Sequence, residues 1–133
     1  MRRLAATALA AALAACRADP ATVVDAARAA LAAKDDAAFR ALCEPKAAKL
    51  LAEAEAAVAR SGRVYRVLQG GHPTARLLPE GEVVSVDELG HRAVVVTRSK
   101  KPSPRVPLRL IDGQWRIDLL EMPQFAEALR PER

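Results

Sequence analysis

The chain reads as an α+β protein on three observations. Between Pro20 and Arg60, apolar residues recur at the three-to-four spacing of helices. After Gly81, β-branched residues alternate with polar ones, and Asp112-Gly113 joins two such runs as a two-residue hairpin turn. Helices followed by an antiparallel meander place the N-terminal helices on one face of a curved sheet.

Each element has its own local reason. Asp19-Pro20 starts a helix, with Asp as N-cap and Pro at the first helical position, where its missing N–H costs nothing. Val23, Val24, Ala27, Ala30 and Leu31 share its inner stripe to about Ala33, while Asp25, Arg28 and Lys34 face water. Lys34-Asp35-Asp36 breaks it, and either Asp caps a short second helix bearing Phe39, Leu42 and Cys43. Glu44-Pro45 restarts the chain as a third helix to about Arg60, with Leu50, Leu51, Ala54, Ala57 and Val58 inward and Ser61-Gly62 as the stop.

Residues 63–81 are the hardest to read. Val64, Tyr65, Val67 and Leu68 suit a helix extension or a strand, Gly70-Gly71 is a break, and Pro73 to Leu78 suits one helical turn. Beyond them, Glu82–Val86 and Arg92–Arg98 form a hairpin around a loop at 87–91. Ser99 to Pro104 is a Pro-rich link. Arg105–Ile111 and Gln114–Leu120 form the second hairpin, in which a two-residue turn pairs Leu110 with Trp115, Leu108 with Ile117 and Val106 with Leu119. All six apolar residues then share one face, opposite Arg105, Pro107, Arg109, Gln114, Arg116 and Asp118. Pro107 lacks a donor, which points to an edge or a bulge. A short helix from Met122 or Pro123 to Leu129 closes the chain, with Phe125 and Leu129 inward.

The first residues follow a different logic. Arg2 and Arg3 precede an uncharged, mostly Ala/Leu run from Leu4 to Ala15 that is shorter than the ~20 residues of a membrane span. Leu13-Ala14-Ala15-Cys16 resembles the bacterial lipobox. The resemblance implies a signal peptide at residues 1–15, cleavage before Cys16, diacylglyceryl transfer to its thiol and acylation of the new amino group. Two or three acyl chains anchor stably, each buried CH2 adding about 0.8 kcal/mol. Residues 16–19 then form a short tether, and 20–133 a single domain held close to the lipid. A lipidated Cys16 also leaves Cys43 without an intramolecular disulfide partner, so Cys43 reads as a small buried apolar residue. If the host is Gram-negative, Arg17 after the lipidated cysteine differs from the Asp of an inner-membrane retention signal. This favours the outer membrane, facing the periplasm.

Composition and motifs narrow the function by exclusion. The formal charge of +5 falls further once Arg2 and Arg3 are removed, and the aromatics of the remaining chain are Phe39, Tyr65, Trp115 and Phe125. That argues against a nucleic-acid partner, which needs a strong basic face and stacking side chains. His72 and His91 sit in loop contexts without Cys, Asp or Glu at ligand spacing, so no metal or other cofactor is expected. Gly70-Gly71-His72 lacks the Gly-Lys-Ser/Thr of a phosphate loop, and no serine sits in G-x-S-x-G.

The opening from Pro20 to Leu42 resembles the long helix, charged break and short helix that begin NTF2-like domains. Ile111-Asp112-Gly113-Gln114-Trp115-Arg116-Ile117-Asp118 is similar to the closing hairpin of small NTF2-like bacterial lipoproteins of unassigned function. The resemblance implies a cone in which helices and bent sheet enclose a pocket, and, in the steroid-isomerase and SnoaL kind, an inward acid or base. Here the inward positions are Val, Ala, Leu, Ile and Trp, so no catalytic residue is assigned, and Asp118 would serve only if the face opposite Trp115 were the pocket side. The expectation is a lipid-anchored, non-catalytic module that binds a small apolar ligand or an envelope protein. The alternative is an isomerase- or cyclase-like enzyme, and a third is a structural protein whose outer sheet face pairs with itself as a homodimer. One positive feature remains: Arg105, Arg109 and Arg116 share the face opposite Trp115 as candidate anion-binding residues, with Arg109 directly across from Arg116.

Overall fold

A computed structural model describes residues 18–60, 77–99 and 103–128. The signal-like segment 1–15, Cys16, Arg17, Ser61-Gly62, residues 63–76 with His72, the link at 100–102 and Leu129 lie outside them. Helix α1 spans Pro20–Ala32, α2 Asp36–Ala41 and α3 Pro45–Arg60. Strands β1 (Val83–Leu89), β2 (Arg92–Thr97), β3 (Arg105–Ile111) and β4 (Gln114–Ile117) follow, then a 3-10 turn at Leu119–Glu121 and helix α4 (Pro123–Ala128). The strands form one antiparallel sheet in the order β1-β2-β3-β4, so the α+β expectation holds.

Capping sets the helix boundaries. Asp19 caps α1 by accepting from the Thr22 N–H at 2.8 Å, and Asp35 caps α2 by accepting from Ala38 N–H at 3.1 Å. Between them, Lys34 adopts a left-handed φ of 55°. Its N–H donates to Leu31 O and that of Asp35 to Ala30 O, the paired bonds of a Schellman stop. Glu44 caps α3: its Oε2 accepts from Ala47 N–H at 3.1 Å, while its own N–H is tied to Ile117 O at 2.8 Å.

Two helical expectations are corrected. Helix α2 ends at Ala41, so Leu42 and Cys43 are not on it. They lie alongside β4 instead, where Cys43 and Ile117 form a parallel bridge. The inner stripe of α3 is also rotated from the one expected. Ala47 and Leu51 are buried, whereas Leu50 is 40% exposed and Ala57 is exposed. The tie between Glu44 and Ile117 fixes how the helix enters, and the 3.6-residue period then turns Ala47, Leu51 and the half-buried Ala54 inward.

The strands differ in two places as well. The first hairpin closes over Gly90-His91 alone, with Leu89 opposite Arg92, in place of the expected loop at 87–91. Gly90 supplies a φ of 63°, and residues 87–89 thereby stay in the ladder. Asp112 and Gly113, with φ of 51° and 76°, close the second hairpin as expected, pairing Leu110 with Trp115 and Leu108 with Ile117.

The expected pairing of Val106 with Leu119 does not form, because β4 stops at Ile117. Pro107 explains the stop. It sits in the central strand β3 opposite Val94, where an edge or bulge was expected. Its carbonyl accepts from Asp118 N–H at 2.9 Å, but it has no N–H to return, and the chain turns into the 3-10 segment instead. Leu119 is nonetheless fully buried.

The core lies between the helices and one sheet face. Val24 and Ala27 of α1, Phe39 of α2 and Leu51 of α3 pack with Val95, Val106, Leu108 and Ile117 of the sheet, joined by Leu77, Leu119 and Phe125. Fully burying each large side chain contributes about 1.5–3 kcal/mol. Gln124 Nε2 donates to Leu77 O at 3.0 Å, fastening α4 to the segment before β1. The sequence pattern did not single out Leu77 as core.

Candidate functional site

Strand alternation sorts the side chains of the sheet into two faces of opposite character. The face toward α1 carries Ala93, Val95, Thr97, Val106, Leu108, Trp115 and Ile117, all buried. Its polar member, Thr97, donates its hydroxyl to Pro104 O at 3.3 Å. With Val23, Val24, Ala27 and Ala30 of α1 opposite, none of these buried residues is titratable. Glu88 of β1, opposite Ala93 on the same sheet face, is exposed, and Arg28 of α1, expected to face water, is half-buried with its Nε and Nη2 enclosed.

The ionic chemistry gathers on the other face. Register places Arg92 opposite Arg109 and Arg109 opposite Arg116, so three arginines cross β2, β3 and β4 in a single row. The backbone bonds define the spacing. Ile117 directs its N–H and C=O toward the Cys43 segment, which makes Arg109 and Arg116 a hydrogen-bonded pair with Cα atoms about 5.5 Å apart. Leu110 N–H, turned toward β2, donates to His91 O, which makes Arg92 and Arg109 the closer, non-hydrogen-bonded kind at about 4.5 Å. Each like-charged pair costs from a few tenths to about 1 kcal/mol.

Of the three arginines singled out from the sequence, the structure brings together Arg109 and Arg116. Arg105 shares their face but pairs with Val96, two steps along the strand from Arg109, or about 13 Å at 3.3 Å per residue. Arg92 takes its place in the row. Sequence reasoning missed it because it belongs to the other hairpin, and only the β2–β3 register, set across the link after Ser99, brings it alongside.

One step from the row lies Asp118, 4% exposed. Its Oδ2 is 3.5 Å from Arg109 Nε. That nitrogen is itself buried and has no hydrogen-bond partner, so the contact is an ion pair rather than a hydrogen bond. Burial raises the Asp118 carboxyl above its ordinary value; Arg109 and, more weakly, Arg92 pull it back, while Glu121 and Glu44 push it further up. Glu44 is also buried, held by its role as the α3 cap. Arg116 Nη2 donates to Gln114 Oε1 at 3.0 Å on the same face.

The remaining reactive groups are quiet. Cys43 is free and buried, its Sγ 3.2 Å from Phe39 O, and desolvation pushes its thiol up to about 12. His91 is exposed in the hairpin turn. Asp25 is exposed and 3.8 Å from Arg28, and Asp35 is a cap. No group of His, Cys, Asp and Glu able to hold a metal ion occurs among the described residues. No helix among them is long and apolar enough to cross a membrane.

The fold and site thus define an α+β protein with an apolar inner sheet face and an arginine row on the outer one. Comparison with known protein families gave no matching family, and neither curated proteins nor solved structures yielded a similar chain.

Proposed function

We propose that this chain is a lipid-anchored cell-envelope protein whose single NTF2-like domain, residues 20–133, binds a ligand or partner without transforming it. The observation that carries the binding reading is the separation of the two sheet faces. The buried side chains under α1 are apolar apart from Thr97, whereas the arginine row and the buried carboxylate Asp118 lie on the outer face. An acid–base enzyme of the NTF2-like kind needs a titratable group directed into its interior. Support for the anchor comes from Leu13-Ala14-Ala15-Cys16 after a short apolar run, and the partner would be a small apolar ligand, an envelope protein or a second copy. An outer-membrane location follows only for a Gram-negative host.

The isomerase- or cyclase-like alternative has one observation in its favour: Asp118 is a buried carboxylate with a polar partner. It sits on the face away from α1, so such an enzyme would work from the outer sheet surface.

Intact-mass spectrometry of the protein recovered from its native membrane, beside a Cys16→Ser form, tests the anchor. The expected product begins at Cys16 with added acyl mass that the variant lacks. A soluble, unmodified chain retaining Met1 would remove both anchor and compartment.

A further inference from the structure

The arginine row is arranged as a receptor for an anion, and its internal neighbour suggests which kind. Arg92, Arg109 and Arg116 stand side by side on three adjacent strands, with guanidinium groups rooted about 4.5–5.5 Å apart. Arg109 and Arg116 are half-buried, so solvent screens them less than free surface side chains. Among the described residues Asp118 is the carboxylate that pairs with the row, with Glu44 and Glu121 acting on it from nearby, and it engages Arg109 at 3.5 Å without satisfying its Nε. One further carboxylate would occupy one guanidinium fork and leave the rest of the row unmatched. A phosphoryl group, doubly charged and with three free oxygens, spans two forks at once.

We propose that Arg92, Arg109 and Arg116 form a binding site for a phosphoryl oxyanion, with Asp118 as the resident counter-ion that competes for Arg109. This rests on the binding reading above but not on the anchor. The phosphoryl group belongs either to a soluble phosphate compound or to a phosphomonoester lipid headgroup such as that of phosphatidic acid, and the two sources share this chemistry.

The test uses the full chain, purified in detergent where the membrane requires it. Inorganic pyrophosphate is titrated against the arginine Nε–H resonances, and binding to vesicles containing phosphatidic acid is compared with binding to phosphatidylcholine vesicles. Saturable shifts confined to the row are expected, with affinity about tenfold weaker in Arg109→Gln/Arg116→Gln, as for loss of a charge-assisted hydrogen bond. Asp118→Asn, which keeps the shape and removes the competing charge, should bind severalfold more tightly. Arg92→Gln should weaken binding more than Arg105→Gln, which removes the same charge two steps away.

Pyrophosphate binding with this pattern supports a soluble ligand; selective vesicle binding with the same variant pattern and no pyrophosphate shift supports the lipid headgroup. Equal losses in Arg92→Gln and Arg105→Gln would reduce the site to diffuse surface charge and overturn it, as would the absence of binding in both assays. Pyrophosphate hydrolysis abolished by Asp118→Asn would uphold the site and refute the non-catalytic reading, so the two failures are separable.

Discussion

Ile117 and Cys43 lie side by side as a parallel bridge, with Ile117 donating to Leu42 O and accepting from Glu44 N–H, both at 2.8 Å. This short contact covers the free edge of β4 and joins the sheet to the start of α3. It also leaves the Ile117 side chain fully buried between Leu108 and the helices. Ile117→Ala should therefore cost about 2–5 kcal/mol, a large share of the stability of a domain this size. Urea unfolding followed by Trp115 fluorescence measures it, and a loss below about 1 kcal/mol would mean that the bridge region repacks freely.

Lys34 holds a left-handed conformation between α1 and α2, at a φ of 55°. A side chain there crowds its own carbonyl, and the Schellman position favours glycine. Lys34→Gly should stabilise the protein by roughly 0.5–1 kcal/mol, the strain relieved exceeding the added freedom of the unfolded chain. Thermal melting of the two proteins side by side decides it, and a lower melting temperature in the variant would show that Lys34 gains more from its surroundings than it loses to strain.

Asp118 makes stability depend on pH in a direction opposite to the usual surface carboxylate. Its carboxyl is raised above 3.8 in the folded protein, so the folded state takes up the proton before the unfolded chain does. Stability should accordingly rise, relative to Asp118→Asn, as pH falls from neutral through the raised value toward 3.8, and level off below it. The groups facing it, Arg109 and Arg92 on one side and Glu44 and Glu121 on the other, remain in both proteins. Urea titrations of the two forms across pH 4–7 give the difference, and a pH-independent gap would show an unshifted Asp118.

Much of the framework was legible because it is local. The caps at Asp19 and Asp35, the positive-φ Asp112-Gly113 turn and the Leu110–Trp115 pairing each depend on residues within a few positions of one another. The errors mark where distant parts of the chain decide. Leu50 was expected inward, but α3 is oriented by Glu44 gripping Ile117 from the far side of the chain. Likewise β4 was expected to reach Leu120, and Pro107 on the neighbouring strand cut it short by withholding one hydrogen bond.

The candidate site divides the same way. The sequence by itself determined that Arg109 and Arg116 oppose each other, because a two-residue turn leaves one register for the hairpin that contains both. Only the tertiary structure decided that Arg92 joins them, that Arg105 stands apart and that Asp118 is buried against Arg109. The physical reason is the range of the interactions. Turn geometry and helix period act over a few residues and are written in the order of the chain, whereas strand register between hairpins and burial of a charge are set by the packing of the whole sheet against its helices.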